Sequence, residues 1–128
     1  MDPIANMIIM MKNASLAGRP TVILPYSKVK ETILECLKKE GYVAKFERKT
    51  QKDHPVLEVE LSYTDERPKI TEAERVSKQS KRVYIKVKDI HSVRGGTGIL
   101  VLSTPKGILS GKDAWREKVG GEALFKLW

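Results

Sequence analysis

Hydrogen-bonding groups follow a short apolar run in the last third of the chain. Residues 99–102 are all apolar and predict a buried strand, and Ser103-Thr104-Pro105-Lys106-Gly107 comes directly after it. The hydroxyls, backbone amides and single ammonium group of this loop can form hydrogen bonds, but no neighbouring base would make a hydroxyl nucleophilic. The loop therefore predicts recognition of a polar ligand and not catalysis.

A second polar turn, Gly120-Gly121-Glu122, precedes the last apolar run of the chain. Both turns stand at the ends of predicted strands, so we expect them to lie side by side in one small domain. Their groups suit the 2′-hydroxyls and base edges of an irregular RNA helix, with Lys106 on a phosphate. Phosphates would repel the Glu122 carboxylate unless it accepts a hydrogen bond, which predicts a role in selectivity. Ordinary turn chemistry explains these residue types equally well.

The glycine-rich segment Gly95-Gly96-Thr97-Gly98 has three interpretations. A phosphate-binding P-loop has little support, because the Lys-Ser/Thr pair is missing and the spacing differs from a dinucleotide-binding fingerprint. The segment matches the G-x-x-G of a KH loop, but that loop joins two helices, whereas an apolar run follows here. The glycines favour the third interpretation, a tight turn before a buried strand.

The second half of the chain carries most of the positive charge. The formal net charge is +8, and the isoelectric point is about 9.6. Nine lysines and arginines lie between Arg67 and Arg94 against three carboxylates, whereas the residues before Tyr63 are nearly balanced. Clustered cations in so basic a domain predict a nucleic-acid partner, with solubility alone as the alternative.

Candidate metal ligands and nucleophiles are few. Cys36 is the only cysteine, so an internal disulfide or a cysteine zinc cluster is impossible, and its predicted helix places it in a core. His54 and His91 are distant in sequence and have no flanking ligand pattern. We therefore expect no enzymatic activity, no metal and no cofactor. A single cysteine, no signal-peptide pattern and no apolar run near ~20 residues predict a cytoplasmic protein without a membrane contact.

Periodicity and capping residues divide residues 1–64 into five elements in the order αβαββ. A helix is expected from Pro3 to about residue 17, with Asp2 as its N-cap and Gly18 at its end. After a strand around residues 22–26, Ser27 begins a second helix that runs through Glu40, and two later strands form a hairpin. The predicted buried faces are Ile4, Met7, Ile8 and Met11 in the first helix and Val29, Ile33 and Leu37 in the second.

Residues 65–128 predict a mainly β domain with one short helix, entered through a polar linker at residues 64–68. Strands are expected around residues 70–76, 83–87, 99–102, 108–109 and 122–128. Ser110 and Asp113 have the spacing of a capping box, and Gly120 is expected to end the helix that they begin. The predicted apolar face of this helix is Ala114, Trp115 and Val119. The predicted fold class is α+β, with two small domains, 1–64 and 65–128.

Short segments along the whole chain occur in the order and spacing of a known family. They are Asp2-Pro3-Ile4-Ala5-Asn6-Met7, Leu24-Pro25-Tyr26-Ser27-Lys28, Glu40-Gly41-Tyr42, Arg82-Val83-Tyr84, Gly95-Gly96-x-Gly98-Ile99, Leu102-Ser103-Thr104-x-Lys106-Gly107, Gly120-Gly121-Glu122 and Trp128. On these residues the chain resembles bacterial small ribosomal subunit protein eight.

The resemblance implies a two-domain protein without enzymatic activity that binds the central domain of 16S rRNA early in assembly of the small subunit. The implied RNA contacts are Ser103, Thr104, Pro105, Lys106 and Gly107, then Gly120, Gly121, Glu122 and Tyr84, with Lys28 and Lys30 from the first domain. The implied partners are the rRNA, neighbouring small-subunit proteins and, for some family members, the messenger RNA of their own operon. A monomer when free is expected, located on the cytoplasmic ribosome.

Three departures from the family pattern bear on function. Pro105 stands where serine is frequent, which removes one hydroxyl and one amide donor and stiffens the loop. Gln79-Ser80 replaces a common Pro-Gly turn. Ile9 and Met10 replace a frequent Thr-Arg pair and leave an apolar surface, which we expect to contact another protein of the subunit.

Two other functions stay open from the sequence. A messenger-RNA repressor or general RNA-binding module would use the same basic surface. An enzyme that uses the glycine-rich turns lacks any candidate nucleophile, base or metal cluster.

Overall fold

Proline at the first helical position and glycine after the last turn bound the first helix. In the computed structural model, which describes residues 2–128, α1 spans Pro3–Leu16, and Gly18 follows with a φ of +73°. Of its predicted inward face, Met7, Ile8 and Met11 are buried and Ile4 is half-buried. Ile9 and Met10 are exposed, so the apolar surface predicted on this helix is present.

The second helix begins at a serine cap and presents a different face from the predicted one. After β1 (Thr21–Pro25), α2 spans Lys28–Lys39, and the Ser27 hydroxyl accepts a hydrogen bond from the Lys30 amide at 3.1 Å. The prediction that Val29 is buried was wrong, because this side chain is 53% exposed. The buried face starts one residue later and contains Lys30, Ile33, Leu34, Cys36 and Leu37.

A three-stranded antiparallel sheet completes the predicted αβαββ order. β2 (Val43–Gln51) and β3 (His54–Leu61) form the expected hairpin, and β3 also pairs with β1. The sheet order is therefore β1-β3-β2, and α1 and α2 pack on β1 and β2 respectively. The alternating buried residues of β3 are Leu57, Val59 and Leu61, as their period of two requires.

The segment predicted as a linker forms a small hairpin. β4 (Tyr63–Thr64) pairs with β5 (Arg67–Pro68), the Lys69 amide donates to the Ser62 carbonyl at 3.1 Å, and Ile70 is buried. These contacts hold residues 65–71 in the first of two compact units, which spans Pro3–Thr71. The second unit contains Asp2 and Glu72–Trp128. The division therefore falls after residue 71, and the expected boundary was after residue 64.

The second unit is a five-stranded antiparallel sheet built on its last strand. The strands are β6 (Ala73–Arg75), β7 (Tyr84–Ile85), β8 (Ile99–Thr104), β9 (Gly107–Ser110) and β10 (Gly121–Leu127). Their order is β6-β10-β8-β9, and β7 pairs with the start of β10. Ala123, Phe125 and Leu127 of β10 are fully buried, so this strand forms the centre of the unit. With helices and sheets in the first unit and a mainly β second unit, the predicted α+β class is confirmed.

One short helix, α3 (Gly111–Arg116), interrupts the strands where it was predicted. The Ser110 hydroxyl accepts a hydrogen bond from the Asp113 amide at 3.2 Å, and Ala114 is buried. The expectation that Trp115 is buried was wrong, because the ring is 61% exposed. The helix also ends before Gly120, because Lys118 adopts a φ of +58° and turns the chain. Within residues 2–128, the structure has no helix long and apolar enough to cross a membrane.

Candidate nucleic-acid interface

A tight loop joins β8 to β9 and displays the predicted recognition residues. Thr104 pairs with Gly107 across the hairpin, so Pro105 and Lys106 form the turn. Proline suits the first turn position, and glycine suits the position after the turn, where φ is +106°. The Thr104 hydroxyl donates to the Gly107 carbonyl at 2.8 Å and accepts from the Lys106 amide at 3.1 Å. This hydroxyl therefore fixes the shape of the loop, and Pro105 and Lys106 are left exposed.

Two glycines allow the start of β10 to approach its neighbours closely. A Cβ atom on Gly121 would collide with the Ser103 carbonyl of β8. A Cβ atom on Gly120 would collide with the Ile85 carbonyl of β7. Glycine at these two positions is thus required by the approach of three backbone segments. Gly120 has this role and not the predicted role of ending α3.

The close approach brings the two predicted turns together around an open cleft of about 650 Å³. Its walls are β7, the β8–β9 loop and the start of β10. The lining residues are Tyr84, Ile85, Lys86, Val87, Ser103, Thr104, Pro105, Gly120, Gly121 and Glu122. The structure therefore places most of the second-unit residues of the predicted RNA site in one cleft.

Several polar groups of the cleft and its loop are available to a ligand. The Tyr84 side chain is 72% exposed, and Ser103 is half-buried in the cleft wall. The Ser103 hydroxyl and the ammonium groups of Lys86 and Lys106 make no hydrogen bond or ion pair with residues 2–128. Sequence reasoning missed Lys86, although its alternation with Ile85 and Val87 was the signal for an outward side chain. Two cations, a hydroxyl and an aromatic ring are thus offered together.

Glu122 is engaged inside the protein. Its Oε2 accepts hydrogen bonds from the Ser77 hydroxyl at 2.5 Å and from the Arg82 guanidinium at 3.1 Å, and its side chain is 17% exposed. The Ser77 hydrogen bond, followed by the hydrogen bond and charge of Arg82, lowers the pKa of Glu122 below its usual value, although burial acts in the opposite direction. Glu122 is therefore ionised at neutral pH and ties two segments together. Sequence reasoning missed Ser77, which is fully buried.

The two lysines expected to add contacts from the first unit differ in exposure. Lys28 is exposed at the start of α2. Lys30 is 7% exposed, and its ammonium donates to the Pro25 carbonyl at 3.5 Å. This burial removes Lys30 from the surface, because the inward face of α2 includes it. Lys28 remains as the available cation of the pair.

The glycine-rich segment forms a turn that feeds a buried strand. Residues Arg94–Gly96 form a short 3₁₀ turn, and Gly95 and Gly96 have φ values of +64° and +96°. A Cβ atom on Gly98 would collide with the Leu127 carbonyl, so this glycine allows β8 to start beside β10. Of the three interpretations of this segment, the structure therefore agrees with the tight turn before a buried strand. Among residues 2–128, no cluster of three or more His, Cys, Asp or Glu side chains could hold a metal ion.

Comparison with known proteins identifies the family of the chain. The profile of the family described as "Ribosomal protein S8" matches residues 2–128. The small ribosomal subunit protein uS8 of Roseiflexus castenholzii is 44% identical over 128 residues, which cover 99% of this chain and 97% of that protein. The uS8 proteins of Ruegeria pomeroyi and Dictyoglomus thermophilum are 46% and 45% identical, over 98% and 97% of their lengths. The chain therefore belongs to the ribosomal protein S8 family, a family of structural proteins of the small ribosomal subunit and not of enzymes.

Proposed function

We propose that this protein binds directly to the central domain of 16S rRNA through the cleft between β7, the β8–β9 loop and the start of β10, and thereby helps the small subunit assemble. The observation that carries the proposal is the convergence of the two polar turns. An exposed aromatic ring, an available hydroxyl and the unpaired Lys86 line one open cleft, and the unpaired Lys106 lies on the β8–β9 loop that forms one of its walls. No group in this set is an activated nucleophile, so binding is the function it supports.

Each group of the cleft has a chemical counterpart in a folded RNA. An exposed tyrosine ring, that of Tyr84, can stack on a base that has left its helix. The Ser103 hydroxyl can both donate to and accept from a 2′-hydroxyl or a base edge. Lys86 and Lys106 can contact phosphates on either side. Because Pro105 has no amide hydrogen, this loop offers one hydrogen-bond donor fewer to the RNA. The proline ring also makes the backbone of the loop more rigid.

Other partners follow from the rest of the surface. Ile9 and Met10 are 48% and 39% exposed on α1, and we assign this apolar surface to a neighbouring protein of the small subunit. Lys28 would add a phosphate contact from the first unit. Free of the subunit, the protein is expected to be a monomer. The messenger RNA of its own operon would be bound through the same cleft if it presented the same RNA shape.

A salt series with two RNAs tests the proposal. One RNA is a central-domain hairpin of 16S rRNA with its irregular helix, and the other is a regular duplex of equal length. Phosphate contacts weaken steeply with salt, whereas hydrogen bonds to base edges and 2′-hydroxyls do not depend on counterion release. We expect tighter hairpin binding that persists at high salt. Equal affinities with equal salt slopes would leave only general RNA binding and would reject the proposal.

A further inference from the structure

A basic turn protrudes between β6 and β7. Lys78 and Lys81 pair with each other through two backbone hydrogen bonds of 2.9 and 3.0 Å, and Gln79 and Ser80 form the tip. These residues and Arg82 are exposed. None of the residues 78–81 lines the cleft between β7, the β8–β9 loop and the start of β10. The turn is therefore a separate feature of the second unit.

Both ends of this turn are fastened to β10. On one side, the Ser77 amide donates to the Ala123 carbonyl at 3.1 Å. On the other side, the Ala123 amide donates to the Val83 carbonyl at 2.9 Å. The buried Ser77 hydroxyl connects the two sides, because it accepts from the Val83 amide at 3.0 Å and donates to Glu122. The turn is thus held in one conformation before any partner binds.

The charges of the turn are not balanced within the protein. Lys78 and Lys81 lie directly opposite each other, an arrangement of like charges that destabilises a strand pair. Neither ammonium group makes an ion pair or hydrogen bond with residues 2–128. The carboxylate bonded to this segment, Glu122, is already engaged by Ser77 and Arg82. A rigid turn that exposes two unneutralised cations is suited to a polyanion.

We propose that Lys78 and Lys81 form a second phosphate-binding element, held in place by Ser77 and Glu122, which contacts the RNA backbone outside the cleft. The inference rests on the proposed function, since it supposes an RNA partner. Two point charges on a fixed turn contact phosphates whatever the base sequence, so this element supplies affinity, and the cleft supplies selection. An acidic segment of a neighbouring protein is the rival partner, and it predicts that neither lysine affects the binding of RNA.

The test compares salt slopes of the full-length protein and its variants. Binding to the rRNA hairpin and to the regular duplex is measured between about 50 and 200 mM salt. The variant Lys78→Gln/Lys81→Gln is expected to lower the slope by about 0.7 to 0.9 for each lysine on both RNAs. The control is Lys112→Gln, which removes one exposed, unpaired cation from α3 in the same unit. Its slope should equal that of the wild-type protein.

The outcomes are distinct for the two proposals. An unchanged slope in the double variant overturns the inference, while hairpin preference of the wild-type protein still supports the cleft. Equal binding of the wild-type protein to the hairpin and the duplex rejects the proposed function. In that case the salt slopes of the wild-type protein and the double variant on the duplex still decide whether the turn binds phosphate. An equal fall in slope per charge for Lys112→Gln shows that any surface cation suffices and also overturns the inference. Circular dichroism of each variant verifies that it is folded.

Discussion

At Gly121, a single hydrogen atom in place of a side chain lets the backbones of β8 and β10 approach. The adjacent residue, Glu122, points its carboxylate to Ser77 and Arg82. These two neighbouring residues of β10 therefore have different structural roles. Gly121 shapes the cleft wall beside Ser103, and Glu122 fastens the basic turn that precedes β7.

Gly121→Ala should destabilise the protein by about 1 to 3 kcal/mol, because a Cβ atom at this site requires a shift of the β8 backbone. Gly111→Ala is the matched control, since its Cβ would meet first the Ile90 side chain, at 3.2 Å, and an alanine suits a helix. Urea unfolding of the two variants measures the difference. Equal stability of both would mean that the approach of β8 and β10 does not require glycine.

Glu122 makes the stability of the protein depend on pH. Its folded-state pKa lies below the ordinary value of 4.5, so the stabilisation is complete above about pH 4.5 and is lost as pH falls through the lowered pKa. The difference in unfolding free energy between the wild-type protein and Glu122→Gln should therefore be largest at neutral pH and decrease in acid. Urea unfolding of both proteins between about pH 3 and pH 7 measures this difference in free energy.

A second variant identifies the cause of the lowered pKa. The Ser77 hydrogen bond is the largest cause of the lowered pKa of Glu122, and Ser77→Ala removes it. The Glu122 carboxyl should therefore titrate at a higher pH in that variant, as followed by NMR. A midpoint identical to that of the wild-type protein would assign the effect to Arg82 instead.

On the scale of elements, the β8–β9 hairpin owes its shape to its own turn residues. Its loop is closed by one hydroxyl, that of Thr104, which bonds to both Gly107 and Lys106. The element therefore presents Pro105 and Lys106 in a fixed arrangement before any partner binds.

Thr104→Ala should weaken binding to the rRNA hairpin about fivefold, equivalent to roughly 1 kcal/mol for the lost hydrogen bonds, and leave duplex binding nearly unchanged. Thr104→Ser keeps the hydroxyl and should restore hairpin binding. Fluorescence anisotropy with both RNAs gives the comparison. The same loss on both RNAs would show that the loop contributes only general attraction.

On the scale of the whole molecule, two compact units divide the surfaces that we propose to bind partners. The cleft and the basic turn belong to the second unit, and Lys28 and the apolar surface of α1 belong to the first. As a member of the ribosomal protein S8 family, the protein acts in the small ribosomal subunit, a cytoplasmic particle. Net charge alone would attract it to any RNA, so location on the subunit depends on its specific contacts.

In a sucrose gradient of a bacterial lysate, the protein should sediment with small ribosomal subunits and stay with them through a high-salt wash. Base and 2′-hydroxyl contacts are less sensitive to salt than phosphate contacts, which is the reason for the retention. The Thr104→Ala variant should be released at lower salt. Sedimentation mainly with messenger RNA or at the top of the gradient would favour the repressor or the general RNA-binding module.

The amino-acid sequence by itself determined the elements whose signals are local. Pro3 and Gly18 bound α1, Ser27 caps α2, and Ser110 caps α3, because caps and turns depend on residues within a few positions of each other. The turn formed by the glycine-rich segment before β8 was likewise predictable. The family was also readable, since it is carried by short segments in a fixed order.

Only the tertiary structure decided which side chains face inward and which distant residues meet. Val29 and Trp115 fit an apolar helical face by spacing, yet both are exposed, because the neighbouring strands select the buried face of each helix. The bond between Ser77 and Glu122 joins residues 45 positions apart. Its formation depends on the sheet register that sets β6 and β7 on β10. Long-range register is a property of the packed sheet, and no local pattern encodes it.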